Sequence, residues 1–151
     1  MESNATRVCI GFSAGAIAAL VFHQGLAGAF DLIGLGSLRA FRLLPTWPFG
    51  VPAIVSLSFW GAMYGIVFSL LSPRLGRHLW LAGIGMGLIA GLVTLFVVLP
   101  LKGLPVAHGW AVWPIARTLL LTGFWGLGVG VLLPMLRPRP LHRPLSHAVR
   151  A

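Results

Sequence analysis

Acidic residues are almost absent from this chain. Glu2 and Asp31 are the only carboxylates in 151 residues, against eleven lysines and arginines. A paired-carboxylate acid/base centre is therefore excluded from the apolar part of the chain, where Asp31 stands alone. Cysteine is nearly absent too. Cys9 is single, so the chain forms neither an internal disulfide nor a thiolate metal cluster, and it has no Cys–His couple at usable positions. His23, His78, His108, His142 and His147 are scattered over different faces and loops. At most, His142 and His147 form a loose chelating pair on a tail, so neither metal nor cofactor is expected. Charge of either sign is scarce: 9% of residues are charged, 58% are hydrophobic, and mean hydropathy is +0.94. So few polar groups cannot cover a soluble core of this size, which leaves lipid as the solvent. The formal charge of +9 then belongs to loops and tails that meet anionic headgroups, and no basic stripe on a soluble domain points to nucleic acid.

What the chain has in abundance is long apolar runs. Four are long enough to cross a bilayer, at about 20 residues each: 8–30, 51–71, 79–99 and 115–136. The third holds no ionisable residue, and in the fourth only Arg117 intrudes, close enough to the start to reach the headgroups. Residues 137–151 read as a basic, proline-rich, disordered tail. The first run resembles a secretory signal, with Ala27-Gly28-Ala29 as a cleavage site, but its length and its weak positive start favour a retained helix. The fold class is therefore an all-α integral membrane protein, a four-helix transmembrane bundle. Phe59-Trp60-Gly61 and Gly65 in the second run return as Phe124-Trp125-Gly126 and Gly130 in the fourth, which suggests two similar helical hairpins. With four spans, seven of the eleven basic residues fall on the face that carries both termini. That face is expected to be cytoplasmic.

The connections carry their own signals. Ser37–Leu44, with Leu38, Phe41 and Leu44 three apart, reads either as a short helix lying in the interface or as a plain loop. The stretch from Pro45 to Pro52 is a stiff, proline-fixed lead into the second span. Trp47, Trp110 and Trp113 suit an aromatic belt at a headgroup boundary. The short loop Ser72–His78 predicts that the second and third spans are antiparallel neighbours.

Burial alone does not bring helices together in lipid, whereas close approach over small residues does. Every span supplies a ridge of such residues at steps of four: Gly11, Gly15 and Ala19; Gly61, Gly65 and Ser69; Gly83, Gly87 and Gly91; Thr118, Thr122, Gly126 and Gly130. The first ridge continues into His23, while Gln24 and Asp31, seven apart, share a neighbouring face. Strongly polar side chains in hydrocarbon are costly unless they face protein or water, so this edge of the first helix is expected to point inward. Two roles are open for it. His23 and Gln24 either line a polar path, or lock helices together by bonding a group such as Ser56, Ser58 or Thr122. Asp31 either marks the mouth of that path or pairs with Arg39, Arg42 or Lys102. Gly83-Ile84-Gly85-Met86-Gly87 is not a dinucleotide loop, since it lies in mid-membrane with no strand before it.

His23-Gln24-Gly25, Pro48-Phe49-Gly50-Val51-Pro52, Phe59-Trp60-Gly61 and Lys102-Gly103-Leu104-Pro105 resemble the landmarks of a bacterial family of small four-span inner-membrane proteins with no known activity. The resemblance covers most of the chain except the basic tail, and it implies an inner-membrane home without implying a reaction. The embedded glutamate of small multidrug-resistance transporters and the cysteine pairs of mercury-uptake proteins are both missing. The functional expectation is a small permeation or carrier unit, oligomeric or part of a larger membrane complex. The alternative is a non-catalytic membrane scaffold or assembly partner.

Overall fold

The computed structural model describes residues 3–36, 40–46 and 49–138. Four helices long and apolar enough to cross a membrane make up nearly all of it: span 1 (Asn4–Leu32), span 2 (Ala53–Arg74), span 3 (Leu79–Leu101) and span 4 (Val112–Leu136). The protein is an all-α, four-helix integral membrane protein. Span 1 starts four residues earlier than its apolar run, because the Ser3 side chain caps it by accepting from the Thr6 amide at 3.1 Å.

The glycine ridges decide which helices pair. Span 1 packs on span 2 along Gly11 and Gly15 against Gly65 and Gly61, so closely that a Cβ on Gly15 would run into the Gly61 carbonyl. Span 3 packs on span 4 in the same way, with Gly83 and Gly87 against Gly126, Gly130 and the Thr122 carbonyl. A Cβ on Gly91 would meet the side chains of Thr122 and Leu119, which extends this second ridge. Backbones this close gain dispersion contacts along their whole length and lose little side-chain entropy on packing.

Spans 1 and 4 join the two hairpins. Here each helix puts an aromatic ring into a glycine notch of the other. The Phe22 ring occupies the space a Cβ on Gly128 would need, and Trp125 Nε1 donates to the Gly15 carbonyl at 3.1 Å. Around this junction lies the core cluster of Ala14, Ala18, Ala19, Phe68, Leu79, Ala90, Trp125, Val129 and Leu133. Spans 2 and 3 are not the packed neighbours that their short loop predicts. They approach each other far less than the other adjacent pairs, because both of their glycine ridges are already turned to spans 1 and 4.

Two helices are locally widened. Residues Ala19–His23 of span 1 and Thr94–Val98 of span 3 each form a π-turn. The second has a sequence cause: Pro100 has no N–H to give Phe96, and its ring crowds that carbonyl. The first has no such marker. The expected disordered tail beyond Pro138 and the tryptophan at position 47 lie outside the described residues.

Candidate functional site

The chemistry-bearing residues of span 1 cluster at the end opposite the termini, and the glycine register sets their level. Gly15 lies against Gly61, so continuing along the antiparallel pair brings Gln24 level with Pro52, where span 2 begins. Span 1 continues for nine more residues, Gln24–Leu32, about 13 Å of helix with no partner from span 2.

The described part of the first loop, residues 40–46, fills that space. It returns down the face of span 1 as a strap, passing close enough to Gly28 that a Cβ there would lie 3.6 Å from Ala40 Cβ. Asp31 Oδ2 accepts from the Ala40 amide at 2.9 Å, and Gln24 Oε1 accepts from the Phe41 amide at 2.7 Å. On its other side the strap caps span 2, whose first two amides need acceptors. Ala53 donates to the Leu44 carbonyl at 3.0 Å and Ile54 to the Arg42 carbonyl at 3.1 Å. Phe41 adopts a positive φ of 55° in making this turn. The strap then closes as a small antiparallel hairpin, β1 (Pro45–Thr46) on β2 (Val51–Pro52), pinned by Thr46 Oγ1 on the Val51 carbonyl at 2.7 Å.

Residues 40–44 are therefore turn and extended chain, not the interface helix; of the two readings of Ser37–Leu44, the loop fits the described part. Ser37, Leu38 and Arg39 lie outside the described residues. Arg42 enters the site through its backbone carbonyl, and Lys102 is exposed at the end of span 3. Gln24 and Asp31 do share a face, and that face holds backbone rather than an open path.

His23 ends the π-turn of span 1, among residues packed against spans 2 and 4. Its Nδ1 is buried without a hydrogen-bond partner. Two of the hydroxyls suggested for it are engaged on their own helices: Ser58 Oγ donates to Ile54 O at 2.8 Å and Thr122 Oγ1 to Thr118 O at 3.0 Å.

The second loop on this face carries a feature without a sequence signal. Ala107, His108, Gly109 and Trp110 run through four consecutive positive φ angles, a left-handed turn that costs a non-glycine residue about 1–2 kcal/mol. Ala107 is buried, Trp110 meets Phe96 edge-on at 6.2 Å, and His108 Nε2 lies 3.2 Å from Thr118 Oγ1. Thr118 Oγ1 gives its hydrogen to the Pro114 carbonyl at 2.9 Å, so it accepts from His108, which fixes Nε2 as the protonated nitrogen. Trp113, in the first turn of span 4, ties that helix to the first loop and to span 1, donating to the Leu35 carbonyl at 3.3 Å and meeting Phe30 edge-on at 6.0 Å. Among the described residues, no group of three or more His, Cys, Asp or Glu could hold a metal ion.

The strap latches are testable directly. In Gln24→Ala the Phe41 amide should exchange about tenfold faster, and in Asp31→Ala the Ala40 amide should do the same, each losing about 1.4 kcal/mol of hydrogen bonding. Hydrogen exchange in detergent measures both. Amides of spans 3 and 4 serve as the internal control.

No protein-family model matches the chain, and no curated protein or solved structure matches it either.

Proposed function

We propose that this protein is a non-catalytic assembly subunit of a bacterial inner membrane, with both termini cytoplasmic, that presents its bundle to a larger membrane complex or to another copy. The observation that carries this reading is the use of its polar groups. Gln24 and Asp31 hold the strap, and the bundle interior is filled by Phe68, Leu95, Val129 and Leu133. Among the described residues the fully buried polar ones are Ser69 and Ser72, near the end of span 2 that leads into the Ser72–His78 loop, and the buried His23 Nδ1 stands apart from them toward the opposite end of the bundle. A permeation path needs a continuous run of polar or hydrated groups, because an ion in hydrocarbon is costly at every point along its way.

Affinity capture of the full chain from gently solubilised native membranes tests the proposal. The expected result is a stoichiometric membrane partner or a second copy, and a monomer with no companion overturns it. One observation favours the rival carrier reading: the unpartnered Nδ1 of His23 in a π-turn, a type of helix defect frequent at functional sites. The two readings separate in reconstituted vesicles. For an assembly subunit, no solute flux depends on His23, and His23→Ala is expected to leave vesicle permeability unchanged within twofold. A flux that disappears in His23→Ala, while the bundle stays folded, establishes the carrier.

A further inference from the structure

Three sides of the bundle are closed by helix packing, and the side between spans 2 and 3 is the open one. Leu57 and Tyr64 of span 2 and Ala82 and Met86 of span 3 pack on the core, yet all four remain only partly buried. The Tyr64 ring meets Trp125 edge-on at 6.2 Å. At the face that carries the termini the seam ends at the loop joining the two spans. There Arg74, Arg77 and His78 are exposed, and the Arg137 guanidinium donates to Ser72 Oγ at the foot of the loop.

We propose that this seam binds one anionic phospholipid, with its phosphate on Arg74 and Arg77 and an acyl chain between spans 2 and 3. The charge is complementary: the loosely packed apolar seam leads to exposed cations on the loop that joins the two spans, in a region with no described acidic residue. Size separates a lipid from a further helix. A helix inserted between spans 2 and 3 would hold their axes about 16–20 Å apart, twice the usual packing distance. The chain from Arg74 to Leu79 reaches at most roughly 17 Å when fully extended. Here it is shorter still, because it turns back at Gly76 with φ +72°. An acyl chain is thin enough to enter without stretching that loop. Binding at this site would supply the contact that spans 2 and 3 lack and reinforce the junction that spans 1 and 4 already make between the hairpins.

The test uses the full-length protein in neutral detergent with dioleoyl phosphatidylglycerol, dioleoyl phosphatidylcholine or inorganic phosphate added. Native mass spectrometry counts retained lipid, and thermal unfolding follows stabilisation. Expected is one retained phosphatidylglycerol per chain, preferred over phosphatidylcholine by at least tenfold, with about fivefold from each arginine. Arg74→Gln/Arg77→Gln removes the preference, and Arg42→Gln, on the opposite face, does not. Met86→Trp, which fills the seam, reduces retention of both lipids, and inorganic phosphate alone gives no stabilisation. Stabilisation by inorganic phosphate equal to that by phosphatidylglycerol would show a free-anion site and overturn the proposal. Equal retention of the two lipids by the unmodified protein also overturns it, even if the arginine variant does not fold. So does a dimer that retains no lipid, because a second copy would then occupy the seam.

Discussion

A methyl group on Gly126 is expected to unfold the hairpin of spans 3 and 4, whereas one on Gly85, two positions from the ridge, is expected to stabilise it. At Gly126 the added Cβ collides with the Gly83 carbonyl oxygen and comes within 2.9 Å of that carbonyl carbon and of the Gly87 nitrogen. All of these are backbone atoms on the facing helix, so no rotamer change can relieve the clash. The helices must separate, and the loss is about 3 kcal/mol, the upper end for overpacking, with leucine worse than alanine. At Gly85 nothing lies within 4 Å of the added Cβ. Only the gain from a less flexible helix residue remains, about 0.5–1 kcal/mol. The same contrast holds in the first hairpin. Gly15→Ala meets the Gly61 carbonyl, and Gly25→Ala meets nothing within 4 Å. Reversible unfolding in mixed detergent, run on these four variants, checks both signs. Equal effects at Gly126 and Gly85 would mean that the ridges are not what pairs the helices.

Trp125→Ala should be at least as severe, with a loss of about 3–5 kcal/mol, typical of deleting a large buried aromatic ring. Trp125 is 4% exposed, sits at the junction of spans 1 and 4, and is the ring on which Tyr64 rests. Its removal opens a cavity where the two hairpins meet, so the hairpins should survive singly and lose their mutual packing. Trp125→Phe keeps most of the ring and removes only the donor to Gly15 O. That carbonyl still accepts from the Ala19 amide, so the cost should be about 1 kcal/mol. Trp60 is the matching residue of the repeated Phe-Trp-Gly triplet, but it is 59% exposed within the bundle. Trp60→Ala should leave the stability of the isolated protein nearly unchanged. A cross-link between spans 1 and 4, formed in the unmodified protein and lost in Trp125→Ala, would report hairpin separation separately from unfolding.

The contrast between Trp60 and Trp125 marks the limit of what residue patterns convey. The repeated triplets and glycine ridges are legible, and both perform the same task of bringing backbones together within a hairpin. Which hairpin face turns to the other depends on the neighbours of the triplets. Gly128 in span 4 provides a socket for Phe22, whereas span 2 is not joined to span 3 in that way. Gly128 falls outside the steps-of-four ridge, and its role is visible only with span 1 in place. The strap was illegible for a similar reason. Leu38, Phe41 and Leu44 have helical spacing, but Phe41 takes a positive φ, and its amide is drawn to Gln24, seventeen positions earlier in the chain.

Composition alone determined that this protein dissolves in lipid, and the lengths of its apolar runs determined four helices. Backbone polar groups must bond within the chain wherever water is excluded, and a helix of about 20 residues is the simplest solution. Glycines spaced by four determined that those helices pair closely. Only the tertiary structure decided the order of packing, with span 1 between spans 2 and 4 and the side between spans 2 and 3 left open. Only it assigned Gln24 and Asp31 to a loop returning along their own helix. The physical reason is that lipid gives no preference among apolar faces. Partner choice therefore falls to steric fit and a few hydrogen bonds between residues far apart in sequence, and local patterns do not encode these.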